Sequence, residues 1–169
     1  MSNSDESALQ RSRRETRAAF ENRALMYYYI FGELAEELGE ERAKEVMKRA
    51  IRRRGTEVGE KYRPAAEAGD LDEVGRLFCE TSPCEGRLFE PGVEHRGDDV
   101  ILLRMTACPL VDAWRSLGLA DDVVDLLCEI AAAVDEGTFE GAGLDLTFKD
   151  RLGQPGSEHC ILELRCRVR

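Results

Sequence analysis

The chain has 169 residues, with 24 Lys and Arg against 34 Asp and Glu, for a formal net charge of −10. That length fits one domain able to bury roughly 70% of its unfolded surface, and 43% hydrophobic with 34% charged residues excludes a disordered chain. The longest apolar run, Ala24 to Phe31, is eight residues, far short of the roughly 18–20 that span a membrane.

A membrane partner is therefore not expected. The opening MSNSDESALQRSRRE has no apolar stretch behind its charges, so the expectation is no secretory signal and a cytoplasmic location. Charge is uneven: residues 1–63 carry 14 basic and 12 acidic side chains, residues 64–169 carry 10 and 22. The one basic cluster, Lys48-Arg49-Ala50-Ile51-Arg52-Arg53-Arg54, is flanked by acids and reads as a solvated helix face. Nucleic acid, which needs a basic face to neutralise phosphates, is not an expected partner. An acidic half suits a small cation or zwitterion.

Taken in chain order, residues 1–19 form a polar extension expected to be helical, and 20–169 a single domain. Leu25, Tyr28, Phe31, Leu34, Ala35 and Leu38 recur at helical steps, with Gly39 as a stop. A second helix follows on Ala43, Val46, Met47, Ala50, Ile51, Val58 and Tyr62, until Pro64. Gly55 and Gly59 each weaken a helix by about 1 kcal/mol relative to alanine, which implies that a neighbour packs closely there. Asp70-Leu71-Asp72-Glu73 reads as a capping box that opens a third helix through Val74, Leu77 and Phe78. Arg87–Glu90 and Asp99–Thr106 are expected as a hairpin around Pro91, Gly92 and Gly97. Helix returns at Pro109–Leu117, breaks at Gly118, and runs again from Ala120 to about Val134, where Gly137 is expected to turn the chain. Leu144–Leu152 and His159–Val168 form a second hairpin, with Cys160, Leu162, Leu164, Cys166 and Val168 on one face. The expected architecture is α+β: N-terminal helices packed on an antiparallel sheet of two hairpins, with a helical pair between them.

The six cysteines, Cys79, Cys84, Cys108, Cys128, Cys160 and Cys166, contain no C-x-x-C spacing. Neither a zinc ribbon nor a thioredoxin-type pair is written there, and no secretory context argues for disulfides. Cys79 and Cys84 are read as loop residues, and Cys128 shares an apolar stripe with Val124 and Leu127. Cys108 directly precedes Pro109, a residue suited to the first turn of a helix. A thiol there meets unpaired amides and the positive end of the helix dipole, which suits a nucleophile or a metal ligand. A small residue filling a strand-to-helix corner is the other reading of the same position. His159 and Cys160 are adjacent and so point to opposite faces of a regular strand. A divalent metal site from Cys108, Cys160 and His159 is left open, and no other cofactor is expected. Glu129 and Asp135 are candidate proton carriers. Arg104 is a candidate to hold a substrate carboxylate, with Tyr28 and Trp114 as further substrate-binding candidates.

Four segments together resemble a known family: Tyr27-Tyr28-Tyr29-Ile30-Phe31-Gly32-Glu33-Leu34 with Gly39-Glu40-Glu41-Arg42-Ala43, then Ala107-Cys108-Pro109-Leu110-Val111-Asp112-Ala113-Trp114, Leu127-Cys128-Glu129-Ile130, and Glu158-His159-Cys160-Ile161-Leu162. The family is that of L-2-amino-thiazoline-4-carboxylic acid hydrolase, and the likeness spans about residues 20–168. It implies hydrolytic opening of a small cyclic amidine on a route to cysteine through an N-carbamoyl intermediate. It also implies roles for Cys108 and Cys160, and an acid at Asp135. The C-terminal hairpin is similar to the 4-vinyl-reductase-type ligand-binding domain, which implies helices on an antiparallel sheet around a small-molecule pocket. A cytoplasmic hydrolase acting on a small-molecule substrate is the leading expectation. A non-catalytic sensor that binds a metal or small molecule is the alternative, and homo-oligomerisation is left open.

Overall fold

The computed structural model describes residues 3–97 and 99–167. Val168, expected on the inward face of the last strand, lies outside the described residues, as do Met1, Ser2, Asp98 and Arg169. Helix α1 (Asn3–Leu38) runs without a break through residue 20, so the polar start and the apolar stripe are one element. It stops where Gly39 takes a φ of +82°. Helix α2 (Glu40–Gly59) and the short α3 (Arg63–Ala68) follow, with buried Tyr62 between them. Asp70 caps α4 (Leu71–Glu80) as its pattern predicts, accepting a hydrogen bond from the Glu73 amide at 2.9 Å.

The first strand sits later than the sequence reading placed it. Residues 81–89 are turn, and β1 spans Pro91–Arg96. Cys84, Glu85 and Glu90 have φ of 56°, 57° and 49°, a left-handed backbone that no strand adopts. Proline then opens the edge strand, where its missing N–H leaves no ladder bond unmade. Cys79 is likewise in the last turn of α4, and Cys84 is in the turn.

Strand β2 (Val100–Met105) leads to α5 (Pro109–Ser116) and α6 (Asp121–Ala142), and the hairpin β3 (Leu144–Asp150) with β4 (Cys160–Cys166) completes the chain. All pairings are antiparallel, in the order β1-β2-β4-β3, so the two hairpins join edge to edge. Ile101 pairs with Leu164, Leu103 with Leu162 and Met105 with Cys160, which places these side chains on one face toward the helices. The described residues thus form an α+β fold of six helices and a four-stranded sheet. None of the described helices is long and apolar enough to cross a membrane.

Helix α6 corrects a second expectation. It continues eight residues past Val134, through Gly137, and ends only at Gly143, whose φ is +100°. The reason is α2, which lies against it: a Cβ on Gly137 would collide with the Arg52 carbonyl, and one on Gly59 with the Thr138 carbonyl. These glycines, with Gly55, bring two backbones together instead of ending a helix. The Thr138 hydroxyl, one of the few buried polar groups, donates to the Val134 carbonyl at 2.8 Å and reaches the Gly55 carbonyl at 3.2 Å. Along the outer edge, Lys44, Lys48 and Arg52 of α2 pair with Glu129, Glu136 and Glu140 of α6. The basic run of the sequence is thereby tied to acids in the other half of the chain. Leu38, read as part of the apolar stripe, is instead 48% exposed at the helix end.

Candidate active site at a cysteine corner

Three elements bring three sulfurs to one corner. Cys108 is the N-cap of α5, in extended conformation with Pro109 in the first turn, as its sequence position predicts. Cys128 lies on the inward side of α6, and Cys160 opens β4 on the helix-facing side of the sheet. Cys128 and Cys160 are buried, whereas Cys108 keeps part of its surface exposed, and all six cysteines are free thiols.

The β3–β4 connection closes over these sulfurs. The Leu152 amide donates to Cys160 Sγ at 3.2 Å. Gly153 presses on Cys128 so closely that a Cβ there would collide with the cysteine side chain, and its amide faces the Cys128 sulfur. Burial pushes both the Cys108 and Cys160 thiols up to about 12. The amides of Val111 and Leu110 at the start of α5 work against this at Cys108, without closing a capping hydrogen bond. Burial also raises Cys128, opposed by Gly153 and by the charge of Arg151. The corner thus holds neutral thiols near pH 7, each beside a backbone amide able to stabilise its anion.

Asp135 lies seven residues, about two helical turns, beyond Cys128 on α6. Burial, with a smaller contribution from Glu136, pushes its carboxyl from 3.8 up to about 7. Its charge is felt by Cys128, Cys160 and the buried Tyr62. Glu129, the other candidate proton carrier, is in a different setting. Lys44 Nζ and Lys48 Nζ approach it at 2.7 and 3.2 Å. Burial works to raise its carboxyl, but hydrogen bonds and charge from these lysines hold it below its ordinary value.

The remaining candidates are scattered. Arg104 is on the exposed side of β2, with Nε 2.9 Å from Glu94 Oε2. Trp114 is fully buried and its indole Nε1 donates to the Ala24 carbonyl at 2.9 Å, which ties α5 to α1. Tyr28 packs beside Tyr29 with ring centroids 5.2 Å apart, half-buried on α1. His159 precedes β4 and turns away from Cys160, its Nε2 3.3 Å from Asp150 Oδ2. Among the described residues, no three His, Cys, Asp or Glu side chains are grouped to hold a metal ion. The set Cys108, Cys160 and His159 is accordingly not assembled: His159 is held against Asp150, while the Cys160 sulfur faces the Leu152 amide.

Two participants were not singled out from sequence. Cys128 was read as core alone, although its spacing from Asp135 already puts both on one helix face. Arg151 follows β3, with Nη2 2.8 Å from Asp125 Oδ1, while its Nε is buried and has no hydrogen-bond partner. Beside it an open cleft of about 440 Å³ is lined by Asp125, Asp150, Gln154, Pro155, Gly156 and Ser157.

Comparison with known proteins separates fold from family. Ten matching chains of solved structures include a trafficking protein particle complex subunit 3 from Naegleria fowleri, solved covalently bound to palmitic acid. It shares 10% identity, with 89% of this chain and 96% of that chain covered and a TM-score of 0.51, a likeness of fold. No curated protein matches the chain. The sequence pattern of the L-2-amino-thiazoline-4-carboxylic acid hydrolases matches residues 17–163, a span that contains α5 with its Cys-Pro start, all of α6 and the entry to β4. By that match over most of its length, the chain belongs to the L-2-amino-thiazoline-4-carboxylic acid hydrolase family.

Proposed function

We propose that the protein hydrolyses a small cyclic amidine of the 2-amino-thiazoline-4-carboxylate type, with Cys108 as nucleophile. Family membership supports hydrolase activity. The observation that carries the rest is the convergence of Cys108, Cys128 and Cys160 on the N-terminus of α5, where amides face the Cys108 sulfur. Because that thiol is neutral near pH 7, its proton must be taken up as it attacks, and in this reading it passes to Asp135, whose charge reaches the neighbouring Cys128 and Cys160.

The Cys108 sulfur bonds to the ring carbon that lies between sulfur and two nitrogens. The bond from that carbon to the ring sulfur breaks, and the ring sulfur leaves with the proton as a thiol. Water then adds to the same carbon and expels Cys108 as its thiol, leaving an N-carbamoyl product. Arg151, whose charge acts on Cys128 and whose Nε–H has no hydrogen-bond partner, is the group in this reading that holds the substrate carboxylate. Glu129 is neutralised by its two lysines and moves no proton.

The test follows new thiol released from 2-amino-thiazoline-4-carboxylate by wild type, Cys108→Ser and Cys128→Ser. The expected result is a loss of about 1,000-fold or more for Cys108→Ser and a much smaller loss for Cys128→Ser. Full activity in Cys108→Ser removes Cys108 from the chemistry. One observation favours a non-catalytic small-molecule-binding domain instead: the Cys128 and Cys160 thiols lie beneath a closed turn. That reading predicts stoichiometric binding of the thiazoline and no thiol release from wild type.

A further inference from the structure

Helix α1 carries a second apolar side. Its inner side is fixed to the body by buried Ala24 and Phe31, and by Arg13–Glu85 and Arg17–Asp112 ion pairs at 3.2 and 2.8 Å. Directly opposite, Met26, Tyr29 and Ile30 are 48%, 60% and 42% exposed. Exposed Ala18, Ala19 and Asn22 precede them at helical steps on the same outward side. The stripe is bulky at one end and small at the other. Its flanks differ in sign as well: Arg11 and Arg14 lie exposed before it, and Glu33, Glu36 and Glu37 after it.

A surface with this polarity complements itself when turned end for end. We propose that a second copy of this chain docks here, α1 against α1 and antiparallel, about a two-fold axis passing between Asn22 and Met26. Tyr29 and Ile30 of one copy then cover Ala19 and Ala18 of the other, which is the large-on-small fit that close helix packing needs. Arg11 of each copy faces Glu37 of its partner. Glu15 opposes Glu33, the one like-charge meeting on this face, within one turn of Arg11 and Arg14.

From Arg11 to Glu37 the helix covers roughly 40 Å. A strip about 10 Å wide buries about 400 Å² per copy, below the ~1,200–2,000 Å² total of stable complexes. The geometry therefore points to a reversible dimer, populated at tens of micromolar and dissociated near or below about 1 μM.

Sedimentation velocity on the full chain, from about 1 to about 200 μM, tests this. Wild type is expected to move from monomer to dimer across that range. Met26→Glu with Ile30→Glu is expected to weaken association by about 10-fold or more. Tyr29→Arg serves as an independent variant, and circular dichroism checks that each stays folded, as their exposure predicts. Arg11→Glu is expected to weaken the dimer and added Glu37→Arg to restore it, which only antiparallel pairing explains. A chain that stays monomeric throughout, or a dimer indifferent to the Met26 and Ile30 changes, overturns the proposal. A dimer that Glu37→Arg fails to restore overturns the antiparallel arrangement.

Discussion

Helix α6 is approached closely on two sides, and the two contacts are built differently. Against α2, Gly55, Gly59 and Gly137 remove the side chains between backbones, and the polar groups that flank the contact are matched: Glu129, Glu136 and Glu140 each meet a cation. Against the β3–β4 turn, Gly153 does the same steric work, but what it presses on is a neutral sulfur, with a carboxyl raised toward neutrality two turns further along. The carboxylates along these two contacts are therefore in two conditions. Glu129, Glu136 and Glu140 each sit against a cation, and Asp135 is left able to change protonation near pH 7.

The contrast breaks most readily at the glycines. Gly137→Ala places a methyl group inside the Arg52 carbonyl, a backbone atom that cannot step aside alone. Urea unfolding is expected to show a loss of about 3–4 kcal/mol, at the upper end of overpacking effects. A loss under about 1 kcal/mol would mean that the two helices part easily.

Asp135→Asn acts on the other side of the comparison and is expected to stabilise. Its folded pKa of about 7 stands above the ordinary 3.8, so the folded state holds the proton more tightly than the unfolded state. Asp135 therefore supports folding fully below about pH 4, and that support is lost as pH rises to about 7. At pH 8 the asparagine variant is expected to gain up to about 4 kcal/mol over wild type, and near pH 4 less than about 1 kcal/mol. The same variant is expected to abolish the rise of activity with pH through about 7 that a proton-accepting carboxylate produces. A gain that is equal at both pH values would show that Asp135 is not the titrating group.

Lys48→Met is the mildest change. It removes the cation 3.2 Å from Glu129 and 3.3 Å from Glu136, both partly screened by solvent. Stability is expected to fall by about 1 kcal/mol, and by less in high salt.

Local chemistry made much of the fold readable. Gly39, the Asp70 cap and the Cys108-Pro109 start each act within a turn of where they stand in the chain. The alternation in β2 and β4 placed the sheet faces correctly. The same alternation sets Arg104 opposite Ile101 and Leu103, so its outward position was readable from spacing alone. What local chemistry did not supply is distant in sequence. Gly137 has the signature of a helix stop, and only α2, some 80 residues earlier, shows why the helix continues. Glu129 reads as a free acid until Lys44 and Lys48 are placed beside it. The site is part of the same lesson: Cys108 was visible as an N-cap, whereas its company with Cys128 and Cys160 depends on three elements meeting.

The Leu152 and Gly153 contacts give the β3–β4 turn a measurable consequence. One short segment shields two sulfurs from opposite elements, so a reagent cannot reach either until the segment lifts. Alkylation of Cys128 and Cys160 in the native protein is then timed by that lifting and not by sulfur chemistry. Both residues are expected to react in step, slower than the less buried Cys84, and their shared rate is a clock for how often the corner opens.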